Sequence, residues 1–200
     1  MRNHFQNLYE IAEGQQGYFT ARQAQEAGYS EFTHPYHVKT GSWIREARAI
    51  YRLSSFPKSD QSHYVLWALW SCNRQGSPQG VFSHQTALSI HELSDLNPAK
   101  IHITVPKTFR RRTEIPKVLV IHRENVRADD LEQKQGFQLV KPLRTILMLE
   151  QDHGVSRDFL IQALDEGLKR GLITKSSLRH PTLSKQERAF LAKLLKEARP

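Results

Sequence analysis

The first forty residues carry apolar positions at helical spacing, interrupted by glycines. A first helix is predicted to end at Gly14. Its apolar face consists of Phe5, Leu8, Tyr9 and Ala12. The stretch GYFTARQAQEAGYS then predicts a short second helix over 21–27. Thr20 offers an N-cap oxygen at the start of this helix, and Gly28 supplies the left-handed residue that ends it.

A third helix is predicted from Ser30, its candidate cap, to residue 39 or 40, followed by Gly41. Pro35 conflicts with a helix that starts directly after Ser30. Proline has no backbone N–H, and it disfavours helical geometry at the residue before it. The third helix therefore either begins near Thr33 or has a distorted first turn.

The pattern then changes to one that is typical of a β-hairpin. Trp43 and the segment Ile50–Leu53 are predicted as short strands around a turn at 47–49. We expect Trp43, Ile44 and Tyr51 to pack this hairpin against the preceding helices.

A polar stretch at 54–62, SSFPKSDQS, separates this first part from a mixed α and β pattern. Strands are predicted over 101–106, 117–122 and 137–140, and helices over 64–72, 83–91, 142–150, 156–170 and from Ser184 onward. We therefore predict an α+β protein with two domains, residues 1–56 and residues 60–200, in which the second domain contains a small sheet.

Composition indicates an anionic partner, because the 200-residue chain has a formal net charge of +9. Residues 1–56 contain six Lys/Arg against five Asp/Glu, so the excess lies later in the chain. A DNA contact in the first domain must therefore depend on local placement of charge. The single cysteine fits a reducing cytosol, and no signal peptide or membrane span is predicted. We expect a cytoplasmic protein.

The short connection between the second and third helices predicts a helix-turn-helix, and the hairpin after it makes this the winged variant. The second helix of this motif enters the major groove, while basic side chains on the wing bind phosphates. The residues that we expect to contact double-stranded DNA are Thr20, Arg22, Thr33, His34, Tyr36, His37, Lys39, Arg45, Arg48 and Arg52. A helical hairpin with no role in DNA binding is the alternative interpretation, and Tyr36 fits a core position equally well.

A basic cluster between two predicted strands is a second candidate contact, for the DNA backbone or for an acidic protein surface. It consists of Lys107, Arg110, Arg111 and Arg112. A solvated loop is an equally good interpretation.

The sequence predicts no catalytic residues, no cofactor and no metal site. Ser83 and His84 lack a base and an orienting acid that the sequence can identify. The acidic residues at 129–132 lie in a polar stretch that we interpret as a loop and an exposed helix turn. His102 and His122 are expected to face outward from their strands.

The chain resembles the AbiEi-type antitoxins of bacterial abortive-infection (type IV toxin–antitoxin) systems. The resemblance is carried by GYFTARQAQEAGYS, HPYHVKTGSW and REARAIYRL, followed by FSHQTALSIHELSDLNPAKIHITVP and Pro142–Thr145. It implies a DNA-binding antitoxin that represses its own operon through the winged helix. It also implies that the second domain neutralises a nucleotidyltransferase-type toxin from the neighbouring gene. A plain winged-helix regulator without a toxin partner stays open, as does, with less support, a nuclease-related enzyme.

Overall fold

The structure, a computed structural model, describes residues 3–111 and 113–198. Within these residues eight α-helices and two sheets, of three and five strands, confirm the predicted α+β class. The chain divides into two compact units. The first runs to Gly80 and includes Gln133–Gln138, and the second holds Val81–Glu132 and the chain from Leu139 onward.

The first unit has three helices before a hairpin, as predicted. Its elements are α1 (His4–Glu13), β1 (Tyr18–Thr20), α2 (Ala21–Glu26), a 3-10 turn (Glu31–Thr33), α3 (His34–Lys39), β2 (Trp43–Ala47), β3 (Ile50–Leu53) and α4 (Ser62–Trp70). β3 is the central strand of an antiparallel sheet, with β1 and β2 at its sides. Strand β1 was not predicted, because its three residues are too few to show an alternating pattern.

The ends of the short helices follow the predicted caps in part. Thr20 caps α2, and its side chain accepts a hydrogen bond from the backbone N–H of Gln23. Ser30 makes no side-chain cap. Instead α3 begins at His34 with Pro35 in its first turn, where a missing N–H removes no helical hydrogen bond. Of the two alternatives for the third helix, the start near Thr33 is therefore confirmed.

The core of the first unit lies between the helices and one face of the sheet. Trp43 is buried there, with its ring centroid 4.8 Å from that of Phe19 and 5.1 Å from that of Tyr29. Tyr51 is half-buried against the same core. The expectation that Ile44 packs the hairpin on the helices is wrong, because its side chain is 38% exposed. Neighbouring residues of a strand point to opposite faces, and Trp43 occupies the inner one.

The chain from Val81 onward belongs to the second unit except for Gln133–Gln138, and it combines a five-stranded sheet with a group of helices. Its elements are β4 (Val81–Phe82), α5 (His84–Ile90), β5 (Ile101–Val105), β6 (Leu119–Arg123), a 3-10 turn (Ala128–Asp130), β7 (Leu131–Lys134), β8 (Phe137–Val140), α6 (Pro142–Asp152), α7 (Arg157–Lys169), a second 3-10 turn (Ser177–Arg179) and α8 (Lys185–Glu197). The strand order is β6-β5-β4-β8-β7. β5 runs antiparallel to β4 and parallel to β6, and β4 pairs with β8 in parallel.

Strands 101–105, 119–123 and 137–140 agree with the predicted ones. The polar segment Leu131–Lys134 was expected to be irregular, and this was wrong, because it forms a strand at the edge of the sheet. An edge strand tolerates polar residues, since one of its sides faces no neighbouring strand. The core of this unit lies among α5, α6, α7 and α8, where the buried residues include Leu88, Ile146, Leu160, Leu164 and Leu194.

The first compact unit extends beyond the predicted domain boundary at residues 56–60. Helix α4 contacts β1 and β3, so it belongs to the same unit as the small sheet. After α4, the Ser71 hydroxyl accepts hydrogen bonds from the backbone N–H groups of Gln79 and Gly80. These contacts hold the chain to the first unit as far as β4. The domain boundary at residues 56–60 stays a prediction.

Candidate functional site

Helix α3 and the hairpin β2–β3 together form a basic surface on the first unit. Lys39 of α3 and Arg45 of β2 line one depression, with Pro35, Val38 and Tyr51 as its other lining residues. Both basic side chains are exposed. The fold thus places a basic group from the helix beside one from the hairpin.

Exposed aromatic side chains precede and occupy α3. Phe32 is 95% exposed and Tyr36 is 65% exposed. Of its two interpretations, Tyr36 therefore takes the surface one. Arg48 is exposed at the hairpin turn, where Ala49 has the left-handed φ of 59°. The side chains of Phe32, Tyr36 and Arg48 are therefore accessible to a partner.

His34 requires a correction, because it is a core residue. It is 2% exposed, and its ring centroid lies 5.2 Å from that of Trp43 and 5.7 Å from that of Tyr51. Burial lowers the pKa of His34 and so favours the neutral ring. A side chain enclosed in this way cannot reach a base edge.

Arg52 requires the same correction. It is 5% exposed, and its Nε donates to the Glu46 carboxylate at 2.9 Å. Its Nη1 donates to the backbone carbonyls of Leu53 and Phe56. These contacts of the guanidinium all lie inside the first unit, so it is not placed to bind a phosphate.

The other residues predicted to contact DNA make hydrogen bonds or ring contacts within the first unit. His37 is half-buried and stacks on Trp43, with 4.7 Å between ring centroids. The Thr33 hydroxyl donates to the Ser30 carbonyl at 2.7 Å. Thr20 caps α2, and Arg22 pairs with Glu26 at 2.8 Å and donates to the carbonyl of Arg74 at 2.7 Å.

The basic cluster predicted in the second unit lies on the loop between β5 and β6. Lys107, Arg110 and Arg111 are exposed, and Arg112 lies outside the described residues. Phe109 is 1% exposed and anchors the loop, and its carbonyl accepts a hydrogen bond of 2.8 Å from Arg123.

Three histidines and one aspartate meet in the second unit, and we call this group the histidine cluster: His84, His102, His122 and Asp152. They come from the start of α5, from β5, from β6 and from the end of α6. The rings of His84 and His122 stack with centroids 3.6 Å apart. His102 Nδ1 lies 3.1 Å from His122 Nε2. The expectation that His102 and His122 face outward is wrong, because both are half-buried in this cluster.

The carboxylate of Asp152 joins two of the rings. Its Oδ2 lies 3.4 Å from His84 Nε2 and 3.2 Å from His122 Nδ1. The ligand atoms of these three residues all lie within 4.8 Å of one another, so they could hold a metal ion. The prediction of no metal site did not anticipate this arrangement.

Burial keeps the rings of the cluster neutral. It lowers the pKa of His84 and the pKa of His102 to about 4, and proximity to His122 adds to the shift in both. Burial also lowers the pKa of His122, while Asp152 opposes the shift in all three rings. Neutral imidazoles can accept a hydrogen bond or bind a metal.

A buried pair of hydroxyls supports His84. The Ser83 hydroxyl lies 2.9 Å from His84 Nδ1, and Thr104 donates to the same hydroxyl at 2.8 Å. Ser83 is fully buried, so it is not placed to attack a substrate. His84 has a φ of 51°, a left-handed conformation that is unusual for a residue with a side chain. Such strain is concentrated at functional sites.

No single segment of sequence announces this cluster, because its members are brought together by strand pairing. β5 and β6 are parallel, and Thr104 pairs with His122. Without this register, each histidine is an isolated polar residue in a strand or at a helix start. The one available signal is that IHITVP and LVIHR both place polar residues within apolar strands.

No family model and no curated protein matches the chain. Among solved structures, it is similar to the RV2827C protein from Mycobacterium tuberculosis, with 13% sequence identity and a TM-score of 0.58. The similarity covers 96% of this chain and 78% of that one. At this identity the similarity is evidence for the fold alone. In the described residues, no helix has the length and apolar character needed to cross a membrane.

Proposed function

We propose that this chain is a sequence-specific DNA-binding protein that uses α3 and the hairpin β2–β3 as a winged helix-turn-helix. The observation that carries the proposal is the shared surface of the two elements, where Lys39 and Arg45 line one depression and Arg48 is exposed at the hairpin turn. A helix with basic groups beside it matches the shape and charge of a major groove between two phosphate backbones.

Local charge supports this surface, although the first 56 residues have almost no net charge. From His34 to Leu53 the chain has four Lys/Arg and one acid, Glu46. Glu46 is already paired with buried Arg52 and with Lys58, at 2.9 and 3.3 Å. The acid therefore does little to weaken the attraction of the exposed basic groups for an anion.

Burial and exposure decide which of the predicted residues the proposal keeps. Within the proposal, Arg45 and Arg48 bind phosphates, while Tyr36, Lys39 and the exposed edge of His37 contact bases. Thr33, Thr20 and Arg22 lie at helix starts or near them, where a hydroxyl or a guanidinium can bind the DNA backbone. His34 and Arg52 are left out because they are buried.

On the resemblance to AbiEi-type antitoxins, we further propose that the protein is a cytoplasmic antitoxin that represses its own operon. The second unit would neutralise a nucleotidyltransferase-type toxin. Two stretches that carry the resemblance, around Ser83 and around Thr104, are joined by a hydrogen bond of 2.8 Å. This contact packs the two stretches together within the second unit. A regulator without a toxin is the alternative.

Binding to DNA is tested by gel-shift titration of the full chain on the DNA upstream of its own gene and on a scrambled duplex, at two salt concentrations. We expect salt-sensitive binding with a preference for the upstream DNA. Arg48→Ala should weaken binding to both duplexes and lower the salt slope by about one unit, because each phosphate contact contributes about 0.9.

Arg74→Ala is the matched control, since Arg74 is also an exposed arginine of the first unit but lies outside α3 and the hairpin. It should behave as the wild type does. If Arg48→Ala and Arg74→Ala have equal slopes, Arg48 does not bind a phosphate, and the hairpin turn is removed from the proposal. The toxin is tested separately, by co-expressing the adjacent gene with and without this chain. Growth that does not depend on this chain would leave a plain regulator.

A further inference from the structure

The carboxylate of Asp152 lies close to two imidazole nitrogens of the histidine cluster, and the three ligand atoms lie within 4.8 Å of one another. The separations from Asp152 Oδ2 are 3.4 Å to His84 Nε2 and 3.2 Å to His122 Nδ1. In a tetrahedral zinc site, bonds of about 2.0–2.1 Å place neighbouring ligand atoms roughly 3.3 Å apart. Both separations agree with this value.

The other nitrogen of each ring already has a hydrogen-bond partner. His84 Nδ1 faces the Ser83 hydroxyl at 2.9 Å, and His122 Nε2 faces His102 Nδ1 at 3.1 Å. Metal-binding histidines almost always use their second nitrogen in this way, because the contact fixes the ring and its tautomer. His102 and Ser83 therefore act as positioning residues, and each holds the ring of one ligand histidine.

The charged residues around the histidine cluster allow a cation to bind there. Arg144 is the arginine that acts electrostatically on His84, but it pairs with Glu124 at 3.0 Å and with Glu187 at 2.8 Å. Asp152 has a side chain that is 48% exposed, so the cluster opens to water on that side. An ion can thus arrive from solvent and keep a water ligand.

We propose that His84, His122 and Asp152 bind one divalent transition-metal ion, with Zn²⁺ as the best match, and that water completes the coordination. Two nitrogens and one oxygen suit zinc and its neighbours cobalt and nickel, whereas magnesium and calcium prefer oxygen ligands. The proposal concerns the second unit alone and does not depend on DNA binding.

Binding requires one ring to move. The rings of His84 and His122 are nearly parallel, with 12° between their planes and 3.6 Å between their centroids. One ion cannot lie in both of these planes, so one ring must tilt. His122 is the ring with room, since its side chain is 17% exposed and that of His84 is 5% exposed.

The test is titration of the full, chelator-treated chain with Co²⁺, followed by displacement with Zn²⁺. Tetrahedral Co²⁺ absorbs visible light far more strongly than hydrated Co²⁺, so the spectrum reports on the geometry as well as on binding. We expect about one Co²⁺ per chain with a tetrahedral spectrum that Zn²⁺ abolishes. The absence of such a spectrum at saturating Co²⁺ would overturn the proposal.

Variants identify the ligands. Asp152→Asn and His122→Gln should each weaken binding at least tenfold, and His102→Gln should weaken it by about 10–100-fold through loss of positioning. His153→Asn is the matched control. His153 adjoins Asp152 but is exposed and has a left-handed φ of 50°, which asparagine accepts. It should bind as the wild type does.

Thermal unfolding of each metal-free variant separates loss of the site from loss of the fold. Asp152→Asn changes a half-exposed side chain, so it should retain a cooperative transition. A folded Asp152→Asn protein that binds Co²⁺ with wild-type affinity would place the ion on other histidines and overturn the assignment.

Discussion

Arg52 carries a positive charge inside the first unit, where water cannot solvate it. The exposed fractions of the side chains are 7% for Arg52 and 12% for Glu46, its partner at 2.9 Å. Removing one member of such a pair leaves an unbalanced charge in a medium of low polarity. The pair therefore belongs to the stability of the sheet, although the position of Arg52 in the sequence suggests a DNA contact.

Glu46→Gln should destabilise the protein by about 3–5 kcal/mol, the range found when a buried ion pair loses one partner. The free energy of unfolding is measured by urea denaturation. Lys58→Ala removes the second cation near Glu46, but the Lys58 side chain is 60% exposed, so its loss should cost no more than about 1 kcal/mol. Equal losses in the two variants would contradict a buried pair.

The neutral rings of the histidine cluster predict a loss of stability in acid. The pKa of His84 and the pKa of His102 are about 4 in the fold, below the usual value of 6.5. Between these values the unfolded chain binds more protons than the folded one. The free energy of unfolding should therefore fall as pH decreases from about 6.5 to about 4. Each unit of pKa shift corresponds to about 1.4 kcal/mol.

Urea denaturation of the metal-free chain at several pH values measures this loss. His102→Gln removes one of the titrating rings and should reduce the slope between pH 6.5 and pH 4.5. A free energy of unfolding that stays constant over this interval would mean that the rings become protonated without leaving the folded state.

At the scale of elements, the helix ends of the first unit were predictable because they depend on local geometry. Gly28 and Gly41 have φ values of 105° and 77°, a region that glycine enters without strain. The late start of α3 was predictable for an equally local reason, because Pro35 constrains the backbone around it. Strand β4 has two residues, and its existence depends on pairing with β5 and β8, which no short segment reveals. The histidine cluster depends on the same pairing.

Glycine substitutions can separate backbone strain from crowding in the first unit. Gly17 has a φ of 90°, and a Cβ on it would lie 2.4 Å from Cβ of Phe56. Gly41 also has a left-handed φ, but a Cβ there would meet nothing within 4 Å. Gly41→Ala should therefore cost only the strain, about 1–2 kcal/mol, while Gly17→Ala should cost distinctly more. Thermal unfolding measures the loss of stability in each variant. Equal losses would show that the Phe56 side chain moves away from the new Cβ at no cost in stability.

The segment before α3 offers a test of DNA contact that leaves the fold intact. Phe32 is 95% exposed, so Phe32→Ala should not change the melting temperature. If α3 enters the major groove, Phe32 can contact the methyl group of a thymine. Phe32→Ala should then weaken binding, and replacing thymine by deoxyuridine in the duplex should weaken the wild type more than the variant. Equal sensitivity of both proteins to deoxyuridine would exclude a methyl contact.

At the scale of the whole molecule, the first compact unit is not one continuous stretch of the chain. The first unit takes in Gln133–Gln138 from late in the chain. A Cβ on Gly136 would lie 3.0 Å from Cα of Gln15, so glycine permits a close approach of two backbones within this unit. The Gln16 side chain also donates to the Gln135 carbonyl at 3.0 Å. A change of composition at 54–62 marks a linker in the sequence, and it cannot report contacts made by residues further along.

These contacts predict that residues 1–56 are a poor folding unit on their own. α4 packs on β1 and β3, and the hydroxyl of Ser59 donates to the side chain of Gln16 at 2.8 Å. A fragment that ends at residue 56 loses both contacts, while one that ends at residue 80 retains them. By circular dichroism, the longer fragment should unfold cooperatively and at a higher temperature than the shorter one. If the two melt at the same temperature, α4 contributes nothing to the sheet, and the domain boundary at residue 56 is correct.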